Sequence, residues 1–391
     1  MNWKYALCEP NLDQAEISAA VECISSAWLS MGPRTRAFEE AFAELHGCKH
    51  AIAVSSGTAA LHLAMLALDI GQSADDEVIQ PSINFVAAAN MTKAVGARPV
   101  FADIVSLTEP TIDPEKIELA ITEKTRAIVV MHYGGYACRM NEIVALCKKY
   151  NLHLIEDACH APATPAPDNT GQMLGAIGDI GCFSFFSNKN MTCGEGGMIV
   201  TDNDALAKRM RALRSHGMTT LSWERHKGRA STYDVTTHGF NYRIDDLRSA
   251  IGLVQLGKLP AANAARQAHA KRYAEAIARH ARSDISYLFG KAPTAGSAHV
   301  AGIIVPANKR DRVRQGMSDV GIQSSLHYPC VHHFSGFGAE GHGADLRLSE
   351  VFSNQMITLP LYPTMPEEAG EEIVSAIVRC LDNPSTTPKT T

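Results

Sequence analysis

The sequence contains no apolar run approaching the roughly 20 residues that cross a bilayer, no block of like charges and no C-x-x-C pair. The first absence argues against a helical membrane span, and the second against an interaction tail of one sign. A formal net charge of -5 argues against a nucleic-acid binder, which usually carries a basic face. The ten cysteines follow no regular spacing, and Cys159, Cys182 and Cys380 lie inside apolar segments. A reduced thiol behaves there as a small hydrophobe, so no disulfide framework is expected. The N-terminal MNWKYALCEPNLDQAE lacks the charged-then-apolar layout of a signal peptide. Together these absences lead us to expect a cytoplasmic protein that binds neither membrane nor nucleic acid.

What is present is ordinary for a soluble globular chain: 46% hydrophobic and 20% charged residues in 391. That length makes two domains the default, with three also open. Residues 13–27 have helical spacing with Ile17, Val21 and Ile24 on one face, and 34–46 read as a second helix. Short apolar runs then alternate with helical ones. AIAVSSG (51–57), EVIQP (77–81), RPVFADI (98–104), RAIVVMHY (126–133) and LHLIEDA (152–158) read as strands, with helices at 58–70 and 140–151. GCFSFFS (181–187) and GGMIVTDN (196–203) read as two more strands, followed by a helix that Gly217 caps. This alternation predicts an α/β domain with a mainly parallel sheet covered on both faces. From Arg243 the pattern changes. An Ala-rich helix at 262–281 leads to sparser strands, of which AHVAGIIVP (298–306) is the clearest. We place a large domain at 1–255, whose N-terminal segment could pack on the smaller one, a smaller α+β domain at 256–383, and a disordered tail at 384–391.

Three groups fall at strand ends, where open α/β sheets bind ligands. Ser55-Ser56-Gly57-Thr58 joins a strand to a helix N-terminus, whose free N–H groups attract phosphate; a tight turn with a threonine cap is the plainer reading. Asp157 ends an apolar strand and needs a cationic partner if buried; a helix cap or salt bridge is equally acceptable. Lys189 would on base rates be a solvated turn lysine. Its flanks, Phe183, Phe185 and Phe186 before it and Gly194-Glu195-Gly196-Gly197 after it, instead predict a desolvated amine able to form a Schiff base. A phosphate cradle, a strand-end carboxylate and a buried lysine, in that order, are the parts a pyridoxal phosphate site requires.

SFFSNKNMTCGEGGMIVTDN resembles the Schiff-base segment of the DegT/DnrJ/StrS aminotransferases, and the resemblance extends over nearly the whole chain. WLSMGPRTRAFEEAFAEL, AVSSGTAALHLAMLAL, PSINFVAAANM, HYGGYACRMNEI, LIEDACHA, GFNYRIDDLRSAIGLVQL, LHYPCVHH and LPLYPTM follow in the family's order. It implies an aspartate-aminotransferase-like fold of type I and pyridoxal 5'-phosphate as cofactor. It implies that Lys189 is the Schiff-base lysine and proton shuttle, and that Asp157 pairs with the pyridinium nitrogen. It places Ser184, Gly57 and Thr58 on the phosphate and Phe85 on the ring face. His160 stands where the family often has a glutamine that contacts the ring hydroxyl. Asn241 matches an asparagine that reaches the phosphate of the other subunit, which implies a homodimer with shared active sites. SNKN and GGYACRM depart from the family's commoner H-P-T-K-N and G-Q-P-x-D-M.

The expected reaction moves an amino group from glutamate or glutamine to a keto sugar, nucleoside-diphosphate-linked, or to a keto cyclitol, with ping-pong kinetics. Two alternatives stand beside it. One is a sugar dehydratase, against which Lys189 argues because the family's dehydratases carry histidine there. The other is a non-enzymatic sensor on the same scaffold. Cys330, His332 and His333 match no standard metal spacing and read as pocket lining, so no metal is expected. Arg225, His226, Lys227 and Arg229 read either as a diphosphate site or as a solvated basic loop.

Overall fold

The computed structural model describes residues 3–167, 171–219, 232–338 and 344–382. The tail read as disordered and the basic residues Arg225, His226, Lys227 and Arg229 lie outside these ranges. The larger layer is a seven-stranded sheet in the order β1-β7-β6-β5-β4-β2-β3. Its strands are β1 (His50–Val54), β2 (Glu77–Pro81), β3 (Arg98–Ala102), β4 (Thr125–Met131), β5 (His153–Asp157), β6 (Ile180–Ser184) and β7 (Gly197–Thr201). All neighbours run parallel except β7, which is antiparallel to both β1 and β6.

The apolar runs are continuous because both faces of the sheet are covered. Alternate residues of β4 feed opposite cores. Ala127 and Val129 pack with α3 (Gly57–Ala67), while Ile128 and Val130 pack with α6 (Met140–Tyr150). The intervening helices α4 (Ala87–Ala94) and α5 (Pro114–Ala120) flank β3. A second core surrounds an antiparallel sheet of β8 (Ser286–Tyr287), β9 (Ala301–Ile304) and β10 (Met356–Leu359). Tyr5 packs into this core and bridges to Ile322.

One local reading differs from the structure. The helix expected at 262–281 begins much earlier, as a 34-residue helix over Asp246–Arg279 that holds Pro260 in its interior. Residue 255 lies within it. Proline removes one backbone donor there, but α1 (Gln14–Ser25) and α2 (Pro33–His46) pack along its first half and hold it. The apolar stripe of α1 is turned outward: Ile17, Val21 and Ile24 are each more than half exposed, while Glu16 and Cys23 are buried. Glu16 faces inward because it completes a capping box with Asp13 and binds Lys258 and Gln255.

His46 ends α2 with both ring nitrogens satisfied. Nδ1–H donates to Phe42 O at 3.1 Å, and Nε2 accepts the Ala163 N–H at 3.0 Å. Burial lowers its pKa to about 4. Between the ordinary histidine value of 6.5 and about 4, the unfolded chain binds a proton here that the folded chain does not. Stability is therefore complete above that window and lost as pH falls through it. We expect the unfolding free energy to fall by about 1.4 kcal/mol per pH unit there from His46 alone. Urea unfolding of wild type and His46→Gln between neutral and mildly acidic pH measures the difference, and equal slopes would refute it.

Candidate active site

The carboxyl ends of neighbouring parallel strands converge on one cavity of about 360 Å³. Met131 ends β4, Asp157 ends β5 and Ser184 ends β6, and all three line it. The turn after β1 adds Ser56, Gly57 and Thr58, and the turn after β2 adds Asn84 and Phe85. Lys189 enters from the segment between β6 and β7, and His327 and Tyr328 close the cavity from the C-terminal part of the chain. Thus Gly57, Thr58, Phe85, Asp157, His160, Ser184 and Lys189 meet in one place. Asn241 does not; it lies exposed, bridged to Ser215, outside this cavity.

Each part is positioned for a local reason. Ser56, not Thr58, caps α3: its side chain accepts the Ala59 N–H at 3.1 Å. The N–H groups of Gly57 and Thr58 therefore begin the helix with no intrahelical acceptor and can receive an anion. A Cβ at Gly57 would lie 2.8 Å from Ser184 Cβ and 3.1 Å from Cys159 Sγ. Only glycine lets the helix start close onto the end of β6. Gly197, in the glycine-rich run after Lys189, does the same for β7, where a Cβ would meet Ser56 backbone at 2.5 Å.

Asp157 is 4% exposed, and its Oδ1 accepts the Cys159 N–H at 3.2 Å. Among the described residues no ion pair involves it, so its charge is available to a bound cation. Its neighbour Glu156 anchors the strand end. That carboxylate takes the N–H groups of Gly175, Ile177 and Gly178 and pairs with His132 Nε2 at 2.9 Å.

Lys189 has a lowered pKa, chiefly because burial strips its ammonium of water, with Cys159 and Asp157 acting in the opposite direction. An amine of this kind holds its lone pair more readily near neutrality. Phe183 and Phe185 are fully buried behind it, whereas Phe186 is 45% exposed and lines the cavity. Burial also lowers the pKa of His327, to about 4, with Lys189 adding to the effect.

Residues 10–378 match the profile of the DegT/DnrJ/EryC1/StrS aminotransferase family. The chain belongs to this family.

Three solved structures illustrate the likeness. Helicobacter pylori PseC, an aminotransferase involved in the biosynthesis of pseudoaminic acid, is 29% identical, with a TM-score of 0.88 over 96% of this chain and 98% of that one. The aminotransferase TlmJ from Streptoalloteichus hindustanus is 31% identical, with a TM-score of 0.87 and the same coverage. Spr1654 from Streptococcus pneumoniae, solved in its PLP form, is 26% identical, with a TM-score of 0.86 over 97% and 98% of the two chains. The protein is thus an aminotransferase of fold type I, and its cofactor is pyridoxal 5'-phosphate.

The aminotransferase's cavity fits that cofactor on two further observations. Asn84 Nδ2 and Asn188 Oδ1 are buried in its wall with no hydrogen-bond partner among the described residues, and a bound polar molecule would satisfy them. Phe85 is 56% exposed, which removes core packing as its reason for being there and leaves a free aromatic face at the cavity. Sequence reasoning assigned no role to Asn84, Asn188, Cys159, His327 or Tyr328, although all five lie within segments that carry the resemblance. It also placed Cys330, His332 and His333 in the pocket lining, and none of the three is there. His332 instead joins Ser82 Oγ at 2.6 Å to Glu350 at 3.4 Å, and His333 approaches the same carboxylate at 3.6 Å.

Proposed function

We propose that this aminotransferase moves an amino group from glutamate or glutamine to a keto sugar, nucleoside-diphosphate-linked, or to a keto cyclitol. The observation that carries this reading is the convergence of Lys189, Asp157 and the Ser56–Thr58 turn on one cavity. The likeness to PseC, an aminotransferase involved in the biosynthesis of pseudoaminic acid, supports the acceptor class.

The pyridoxal ring supplies the electron sink that makes the substrate C–H bond acidic. The residues supply the rest. Lys189 Nζ would hold the cofactor and would move a proton between two carbons as the base. Asp157 keeps the ring nitrogen protonated. Gly57 and Thr58 N–H and the Ser184 hydroxyl hold the phosphate, joined by Asn241 of the partner subunit. Phe85 covers one ring face. In this reading the outward stripe of Ile17, Val21 and Ile24 and the exposed Asn241 belong to surfaces of a homodimer with shared sites.

The test is the absorption spectrum of the purified protein before and after glutamate, then after a nucleoside-diphosphate keto sugar. Loss of the visible band with glutamate and its return with the keto sugar is the expected result. A bound cofactor that ignores both glutamate and glutamine would overturn the donor assignment.

A further inference from the structure

His160 has both ring nitrogens engaged inside the protein. The Gly134 N–H can only donate, so the Nδ1 it meets at 3.3 Å presents a lone pair. Burial, with Lys189 and two histidines adding to it, keeps the ring neutral. Its single proton is therefore on Nε2, 3.0 Å from the Tyr328 hydroxyl oxygen, which must accept it. Tyr328 cannot then direct its own proton at His160. Among the described residues no acceptor is paired with that proton. The Tyr328 ring stands 6.2 Å from Phe85 and lines the same cavity as Lys189.

We propose that Tyr328, rather than His160, donates the hydrogen bond to the phenolic oxygen of the pyridoxal ring, and that His160 is a positioning residue acting through it. The inference rests on the pyridoxal reading of the cavity. The chain of donors has one direction: the Gly134 amide fixes the imidazole tautomer, the imidazole fills a lone pair of the phenol oxygen, and the phenol proton is left for the ligand. With the cofactor bound, a donor on the ring oxygen would stabilise that oxygen's anion and so weaken the hold on the neighbouring proton. Removing the donor raises the pH at which this proton leaves. The titratable groups facing Tyr328 are Asp157, Cys159, His160, Lys189, His327 and Tyr133, with Glu195 also on the cavity wall. Apart from His160 where it is itself replaced, the same groups face position 328 in each variant below, so they set a common baseline.

The experiment titrates the visible absorption band of the cofactor-loaded protein without substrate. Tyr328→Phe is expected to raise the midpoint by about one pH unit or more, a tenfold change in the proton equilibrium. His160→Phe raises it by less. The double variant matches Tyr328→Phe alone, because both changes act on one bond. His160→Gln can still accept from Gly134 and donate to Tyr328, and it restores the wild-type midpoint. A Tyr328→Phe protein with the wild-type midpoint overturns the proposal, as does a double variant whose shift is the sum of the singles. If Tyr328→Phe does not hold the cofactor, 3-fluorotyrosine placed at position 328 keeps the shape and strengthens the donor. The midpoint then falls if Tyr328 donates, and an unmoved midpoint overturns the proposal. A wild-type protein with no visible band after reconstitution overturns the pyridoxal reading itself, an outcome distinct from these.

Discussion

Lys189→Ala is expected to lower the rate of amino transfer by about 10⁴-fold or more and to remove the visible absorption band. The size of the effect follows from the lysine having two tasks at one atom. Nζ is both the point of attachment and the base, and no other amine lines the cavity among the described residues. The candidates for a substitute base are weak. Burial holds His160 and His327 neutral with depressed pKa values, and it holds the Cys159 thiol protonated. The fold should not suffer. The desolvation of its ammonium outweighs the attraction of Cys159 and Asp157, and no ion pair holds it among the described residues, so its removal should cost the fold little. The measurement is a single turnover with glutamate followed by absorbance, with a thermal melt as control. A small primary amine such as methylamine should restore part of the rate. A variant retaining more than about one per cent of the wild-type rate would remove Lys189 from the mechanism.

Asp157→Asn is expected to lower the rate by about 10³-fold while leaving the cofactor attached. The carboxylate sits at the end of β5, 4% exposed, with a backbone N–H on one oxygen. An amide of the same shape keeps the packing but cannot hold a proton on the ring nitrogen. The lost rate therefore measures the electron sink rather than binding. Without cofactor the carboxylate has no ion pair among the described residues and only the through-space attraction of Lys189, so the apoprotein should melt close to wild type. A variant with near-wild-type turnover, or one that merely loses cofactor, would contradict this role. The two substitutions also separate from each other spectroscopically, since only the lysine change removes the band.

Much of this was legible along the chain. Runs such as AIVV in β4 are apolar throughout because the strand is covered on both faces, a local pattern with a single structural meaning. Lys189, Asp157 and the Ser55–Thr58 turn were legible because each sits at the boundary of such a run. The errors were also physical. The helix expected at 262–281 begins instead at Asp246, because α1 and α2 hold Pro260 inside a 34-residue helix. Ile17, Val21 and Ile24 mark a helix correctly, but periodicity cannot say which side faces the protein. The decision lay with Glu16, whose partners Gln255 and Lys258 are more than 230 residues away. His332, read as lining the pocket, is drawn away from it by Ser82, 250 positions distant.

By itself, then, the sequence determined the alternation of strands and helices and the residue types waiting at their ends, because hydrophobic period and turn chemistry are short-range properties. Tertiary structure decided which of those ends share a cavity and which face of α1 is covered. It also decided that Gly134, His160 and Tyr328 form one directed chain of donors. Tautomers, desolvation and unpaired polar atoms depend on groups that meet only when the sheet is assembled, and no spacing along the chain encodes them.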